Sequence, residues 1–350
     1  MMQITEMRAL VEKRLKELFA ATWGEKEIYF FLNKSEYAID KSAVNKNLVD
    51  PMSDFVLRGG KRIRPVLFLL SIELFGGDPK DYIDFAVAIE LIHNGTLVLD
   101  DIEDRAALRR GKPSCHISFG LDTATNTGMT MHVLPLKLML GSGHKLSLLQ
   151  REKIVNIYME ELINVSFGQA LDIYWHKTAP DKLSVDEYLE MVRLKTGSLM
   201  RMSMRMACAL MNRTSDTEHL FTNYAKSLGI AFQIIDDSLD IDPPSHKFGK
   251  AYGNDITEGK LSLPVVYTLT CANKADRARL REILSKHTRN KKYINEAINI
   301  IVKYDSVNKA KRYAANLVNE SWQELKGKWE KRNNLSNLES MTDFFVSRDH

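Results

Sequence analysis

Apolar residues recur at three- and four-residue spacing over 3–20, 65–75, 82–104, 147–174, 185–211, 217–241, 262–270 and 290–330, the period of one helix face. Stretches that alternate apolar and polar with β-branched residues are hard to find, so strands have little support. Glycine and proline punctuate the pattern at 58–65 (RGGKRIRP), 76–79 (GGDP), 111–120 (GKPSCHISFG), 141–143 (GSG) and across 243–264. No repeat of fixed period and no low-complexity linker divides the chain. The pattern predicts a single all-α domain over residues 1–350, a bundle of about ten or more helices.

One of these segments is unusual. From residue 82 the chain reads YIDFAVAIELIHNGTLVLDD and is apolar on nearly every face from Phe85 to Leu99, which marks a central helix. Its polar exceptions His93, Thr96, Asp100 and Asp104 are three, four and four residues apart and share one stripe, with Asp101 beside it. Like charges at that spacing repel, and more so when partly buried, so a cation is needed to offset them. Taken alone, DDIED reads equally well as a fraying helix end with solvated acids. The pattern returns at 232–240, FQIIDDSLD, where Gln233, Asp236, Asp237 and Asp240 again fall on one face. Two such carboxylate faces offer hard oxygen ligands of the kind magnesium takes, with phosphate oxygens and water completing its shell. A calcium-binding EF-hand is the competing metal reading and is disfavoured, because neither motif has the loop glycine or the closing glutamate.

Composition narrows the class. The chain has 350 residues, 44% hydrophobic and 27% charged, enough for a large core in an ordinary globular protein. The formal charge of +4 is mild and the bases are dispersed, so nucleic acid is not an expected partner. Cys115, Cys208 and Cys271 are too few and too scattered for a disulfide framework or a zinc site and read as packing residues in a reducing compartment. No integral membrane segment and no signal sequence is expected, and the cytoplasm is the expected location. The methionine-rich stretch 200–211 reads as core packing, with the wall of an apolar tunnel as the alternative. Bases lie beside glycines or helix starts at GGKRIRP (59–65), RRGKP (109–113), KTGS (195–198) and GKAYGNDITEGK (249–260), places suited to holding an anion. None of them matches a P-loop.

In this order, with His93 before DDIED and GQALD (168–172) before KTGS, the motifs make the chain resemble the trans-isoprenyl diphosphate synthases, or polyprenyl synthetases, from about residue 58 to 264. The resemblance implies an all-α bundle around a central elongation cavity, assembled as a homodimer. It implies head-to-tail condensation of isopentenyl diphosphate with an allylic diphosphate, dependent on about three magnesium ions per active site. Asp100, Asp104 and Asp236 would coordinate magnesium, and Asp101, Asp237 and Asp240 would be ligands or would hold the ligands in place. Arg109, Lys195, Thr196, Gln233, Lys250 and Lys260 would hold the allylic diphosphate, with Lys195 and Thr196 also steadying the allylic cation. Lys61, Arg64, His93 and Arg110 would form a metal-free pocket for isopentenyl diphosphate. A histidine on an apolar helix is ordinarily a satisfied core residue; the place of His93 two turns before Asp100 on the shared stripe favours the functional role.

The same resemblance makes Gly95 and Thr96 the floor that limits chain length. Both are small, which predicts space beneath the aspartates, a product of about twenty carbons or longer, and a shorter product once Gly95 is replaced by phenylalanine. A farnesyl diphosphate synthase and a non-catalytic subunit of a heteromeric synthase are the alternatives. A terpene cyclase needs no isopentenyl diphosphate pocket and is disfavoured by GGKRIRP together with RRGKP.

Overall fold

Helices account for nearly all the regular structure in the computed structural model, which describes residues 2–32, 35–141, 143, 145–178, 180, 182–241, 253–329 and 335–346. The chain divides into two units, Met1–Met159 with Met202–Ser215 and Glu160–Arg201 with Asp216–His350.

In the first unit, α1 (Ile4–Phe19) buries Met7, Val11 and Leu15 at four-residue spacing. It is followed by α2 (Glu25–Phe31), α3 (Lys41–Val44) and α4 (Asp50–Val56), the last two joined through a wider helical turn over Asn45–Val49. The central pair is α5 (Ile63–Leu74) and α6 (Ile83–Glu103), with Phe68 and Phe85 stacked at 6.2 Å between ring centres. Arg62, held at a left-handed φ of 53° at the start of α5, sends a buried guanidinium to Glu12 of α1 (2.8 Å), Glu90 of α6 (2.6 Å) and the Val56 carbonyl (2.7 Å). Removing one member would leave an uncompensated buried charge, so this group fixes three helices together.

Pro79–Glu103 is long and apolar enough to span a membrane, against the expectation from sequence, but most of it is buried in the protein and Glu90 within it has the Arg62 partner. It is the core helix of its unit.

After α6 the chain makes a feature the sequence pattern did not predict. β1 (Leu108–Arg109) and β2 (Lys112–Pro113) pair antiparallel, and the connecting Arg110 and Gly111 have φ values of 54° and 76°. Positive φ at both turn positions matches the twist of a two-residue hairpin. Next come α7 (Cys115–Phe119), α8 (Leu121–Gly141) and α9 (Leu148–Thr178). Threonines, Gly128 and Pro135 mask the helical period of α8, yet it buries Ala124, Thr127, Gly128, Met131, Pro135, Leu138 and Met139 and packs along α6.

That packing corrects the reading of Gly95. A Cβ placed on Gly95 would lie 2.8 Å from the Met131 Cβ, 3.1 Å from the Gly128 carbonyl oxygen and 3.2 Å from the His132 ring. The missing side chain is therefore filled by α8 rather than left as space for a growing product. Thr96 is half-buried, and its hydroxyl donates to the His93 carbonyl at 2.7 Å.

The second unit takes in α10 (Val185–Lys195), most of α12 (Ser215–Ile241), α13 (Asn254–Glu258), α14 (Leu263–Cys271), α15 (Lys274–Ser285), α16 (Lys291–Lys303), α17 (Ser306–Lys328) and α18 (Ser336–Val346), while α9 and α11 (Gly197–Leu210) each belong to both units. The stretch 185–211 read as one helix is broken at Thr196, and 290–330 is broken at Tyr304 and Asp305, where Asp305 turns to φ 54°. Met200, Met202, Met204 and Met206 on α11 are all fully buried, the core reading of that stretch.

Gly95→Ala is expected to lower stability by about 1–3 kcal/mol through overpacking against α8, measured by urea denaturation. The larger Gly95→Phe is expected to lose folded protein, not to shorten a product. A fully stable Gly95→Phe would restore the open-floor reading.

Candidate active site

Two half-sites emerge, one in each unit. In the first, the GGKRIRP turn and the hairpin close on one face of α6. The Arg110 guanidinium donates to the Gly59 carbonyl and to Asn94 Oδ1 at 3.2 Å and lies over the Phe55 ring. Gly60 permits this approach, since a Cβ there would sit 3.2 Å from the Arg110 guanidinium. Arg58 donates to the Arg109 carbonyl at 3.3 Å and ties the hairpin down. Arg64 lies 3.3 Å from His93 Nε2. A guanidinium can only donate, so Nε2 accepts and the ring proton sits on Nδ1. Burial, reinforced by Arg64 and then Arg110, holds the His93 pKa well below the usual imidazole value, so the ring is neutral at physiological pH. Lys61 is exposed on the same turn. Arg64, His93 and Arg110 are thus brought together.

Two turns further along α6, Asp101 is fully buried and receives Arg109 Nε at 2.7 Å and Nη2 on a single oxygen, Oδ1. Its buried Oδ2 has no hydrogen-bond partner among the described residues. Burial pushes the Asp101 carboxyl up and Arg109 pulls it part of the way back. Asp100 lies 3.6 Å from Arg109 and is partly open, while Asp104 caps the helix.

The second half-site is built on helix ends fixed by glycine contacts. A Cβ on Gly168 would sit 2.3 Å from the Lys195 nitrogen, and one on Gly229 would sit 2.6 Å from Gly197 Cα, so α9 and α12 press directly on the Lys195–Gly197 corner. Lys195 Nζ reaches Asp172 at 2.5 Å. The Thr196 hydroxyl donates to Gln233 Oε1, Gln233 Nε2 donates to Asp237 Oδ1, and the Tyr188 phenol donates to Asp237 Oδ2, each at 2.7 Å. Asp240 accepts the backbone N–H groups of Asn254 (3.2 Å) and Asp255 (2.9 Å), and Asp236 is exposed. Burial pushes the Asp237 carboxyl up to about 6 and raises Asp240; Asp255 is driven well above its ordinary value by burial and by Asp240 and Asp237. Lys260 pairs with Glu258 at 2.6 Å and lowers all three. Lys250 lies outside the described residues.

These donor sets fit magnesium. Both are carboxylate oxygens, one has a buried oxygen with no hydrogen-bond partner among the described residues, and the other gathers acids that burial discourages from ionising. Among the described residues no three His, Cys, Asp or Glu side chains already form a metal cage. Magnesium bound by one or two carboxylates and completed by phosphate oxygens and water needs none.

Five residues escaped the sequence reading: Glu90, Asn94, Asp172, Tyr188 and Asp255. Glu90 and Asn94 gave a signal, as two polar residues four apart inside an apolar helix, and they form a buried bridge in which Asn94 donates to Glu90 Oε1 at 2.9 Å. Asp172 and Asp255 lie inside quoted motifs. Tyr188 gave no signal.

The sequence matches the family model for Polyprenyl synthetase over residues 45–301. It is 33% identical over 306 residues to a short chain isoprenyl diphosphate synthase of Methanothermobacter thermautotrophicus, covering 87% of this chain and 91% of that protein. It is 33% identical over 244 residues to a geranylfarnesyl diphosphate synthase of Aeropyrum pernix, covering 69% and 76% of the two chains. The crystal structure of a geranylgeranyl pyrophosphate synthetase from Pyrococcus horikoshii aligns with a TM-score of 0.82 at 29% identity, covering 99% of this chain and 97% of that one.

A carboxyl with a raised pKa holds its proton more tightly in the folded state, so its stabilising contribution is present below about pH 4 and lost as pH rises through about 6. A divalent cation at Asp236, Asp237 and Asp240 favours the ionised forms and offsets that loss. Magnesium is therefore expected to raise the melting temperature clearly near about pH 8 and little near about pH 5. Equal shifts at both, read by scanning fluorimetry, would count against metal binding by these carboxyls.

Proposed function

The chain belongs to the polyprenyl synthetase family, and from that premise we propose that it condenses isopentenyl diphosphate with an allylic diphosphate to give a linear all-trans prenyl diphosphate of about twenty carbons or longer. The observation that carries this reading is the division of α6. One end shows the acids Asp100, Asp101 and Asp104; two turns earlier the same helix meets the basic group Arg64, His93 and Arg110. Two diphosphates with different needs are served, one activated by metal and one held by bases alone. Relatives named for geranylfarnesyl and geranylgeranyl products support the chain length.

When bound, magnesium offsets the diphosphate charge and makes the allylic C–O bond easier to break. Asp100, Asp104 and Asp236 would hold it, with Asp101, Asp237 and Asp240 beside them. Arg109, already fixed by Asp101, would hold the allylic diphosphate, the role also proposed for Lys195, Lys250 and Lys260. At Lys195 and Thr196, oxygen lone pairs would steady the positive charge that develops on the allyl group, while the Lys195 ammonium would act on the departing diphosphate. Neutral His93 donates a hydrogen bond to isopentenyl diphosphate without adding charge, while Lys61, Arg64 and Arg110 hold its phosphates. No side-chain nucleophile is needed: the allylic C–O bond breaks to release diphosphate, the double bond of isopentenyl diphosphate forms the new C–C bond to the allylic carbon, and the released diphosphate takes up the proton then lost.

The protein acts as a homodimer. Leu121, Met129 and Val133 on α8 are 60%, 59% and 69% exposed and lie four or eight residues apart, an apolar stripe suited to a second copy. Its compartment is the cytoplasm, which suits a chain with only three scattered cysteines.

Purified protein given geranyl or farnesyl diphosphate, isopentenyl diphosphate and magnesium is expected to release elongated linear products. Asp100→Ala should slow condensation by about 10³-fold, the loss of several kcal/mol of charge stabilisation. Near wild-type turnover in that variant would refute the metal assignment, and cyclised hydrocarbon made without isopentenyl diphosphate would refute the reaction. Sedimentation equilibrium should give twice the 40.0 kDa chain mass; Val133→Glu should return it to the monomer.

A further inference from the structure

Beyond the residues assigned above, one buried side chain is connected to the reacting centre only through others. Tyr188 is 1% exposed on α10, two turns before Lys195, and its hydroxyl donates to Asp237 Oδ2 at 2.7 Å. The other Asp237 oxygen takes the Gln233 amide N–H at 2.7 Å, so both oxygens of this carboxylate are satisfied from inside the unit. With its nitrogen committed to Asp237, Gln233 must turn its carbonyl to Thr196, whose hydroxyl donates to it at 2.7 Å. Every proton in the chain therefore points toward Asp237. The Thr196 oxygen, at the far end, is left with lone pairs alone to show to its surroundings.

We propose that Tyr188 is a positioning residue for prenyl transfer, which by anchoring Asp237 sets the sense of the Gln233 amide and so keeps the Thr196 hydroxyl oxygen electron-rich toward the developing allylic cation. Without the phenol, Asp237 Oδ2 is a buried acceptor lacking its donor, and the carboxylate turns away from its bond with Gln233 to find another. That rotation releases the amide, and the Thr196 hydroxyl is then free to turn its hydrogen toward the cation.

The proposal rests on the prenyl-transfer reading, and its test separates the two. Steady-state kinetics with geranyl diphosphate, isopentenyl diphosphate and magnesium are compared for wild type, Tyr188→Phe, Thr196→Val and the double variant. Tyr188→Phe should lower kcat about tenfold, leave the KM for isopentenyl diphosphate within about twofold, and add nothing further in the Thr196→Val background. Site-specific 4-aminophenylalanine at 188, which restores a donor in the same place, should bring kcat back to within about threefold of wild type. Should the phenylalanine variant melt early, 4-methylphenylalanine at 188 fills the same volume without a donor and takes its place in the comparison. An unchanged kcat, an equal fall in the Thr196→Val background, or no rescue by the amine overturns the positioning role while the enzyme reading stands. A wild-type protein that elongates nothing overturns both.

Discussion

Placing a carboxylate out of water demands positive charge or hydrogen-bond donors close by, and the way each buried aspartate meets that demand organises both half-sites. Asp101 takes the full charge of Arg109. Asp172 takes Lys195. Asp240 is met by two backbone N–H groups, and Asp237 by the neutral donors of Gln233 and Tyr188. Neutral donors stabilise the ionised form without cancelling its charge. The second aspartate group accordingly keeps a net negative field that Lys260 offsets only in part, and that residual field is what a divalent cation would satisfy.

The basic side follows the same logic with the sign reversed. Arg62 and Arg110 are neighbours around α6, yet Arg62 is matched by Glu12 and Glu90 and so belongs to the framework. Arg110 is held by a carbonyl, an amide oxygen and an aromatic face, all neutral. Burial and the nearby arginines ease its pKa downward, and Glu90, already bonded to Arg62, offsets this only in part. A second carboxylate placed against Arg110 would have completed the fold and removed the binding group. Glu90 instead reaches Asn94, which passes on geometry without charge.

Sequence carried the parts of this arrangement that are local. DDIED and FQIIDDSLD were legible because a period of 3.6 places their acids on one face without knowledge of any other helix. Tyr188 was not legible, since its partner is 49 residues away and no local pattern distinguishes it from a core tyrosine. The helix α8 was hidden because glycine, proline and threonine lower local propensity where packing on α6 decides the outcome. Gly95 shows a deeper ambiguity. A missing side chain reads identically whether it leaves space for a ligand or lets another backbone come close, and only the position of Met131 and Gly128 tells the two apart.

The glycines also explain why chemistry can rest on the break between α10 and α11. Loop ends ordinarily drift, but Gly168 and Gly229 bring two helices into backbone contact with the residues on either side of Thr196. At such separations a shift of half an ångström meets hard repulsion, so Lys195 and Thr196 inherit the rigidity of packed helices rather than the freedom of a turn. Beneath them the buried pair of Arg201 with Glu161, 2.6 Å apart, adds a bond from Arg201 to the Arg193 carbonyl one turn before the break. Groups that must stabilise a short-lived cation gain most from being placed before it forms, because reorganisation during the reaction would cost part of the stabilisation. Close backbone packing at a helix break supplies that placement.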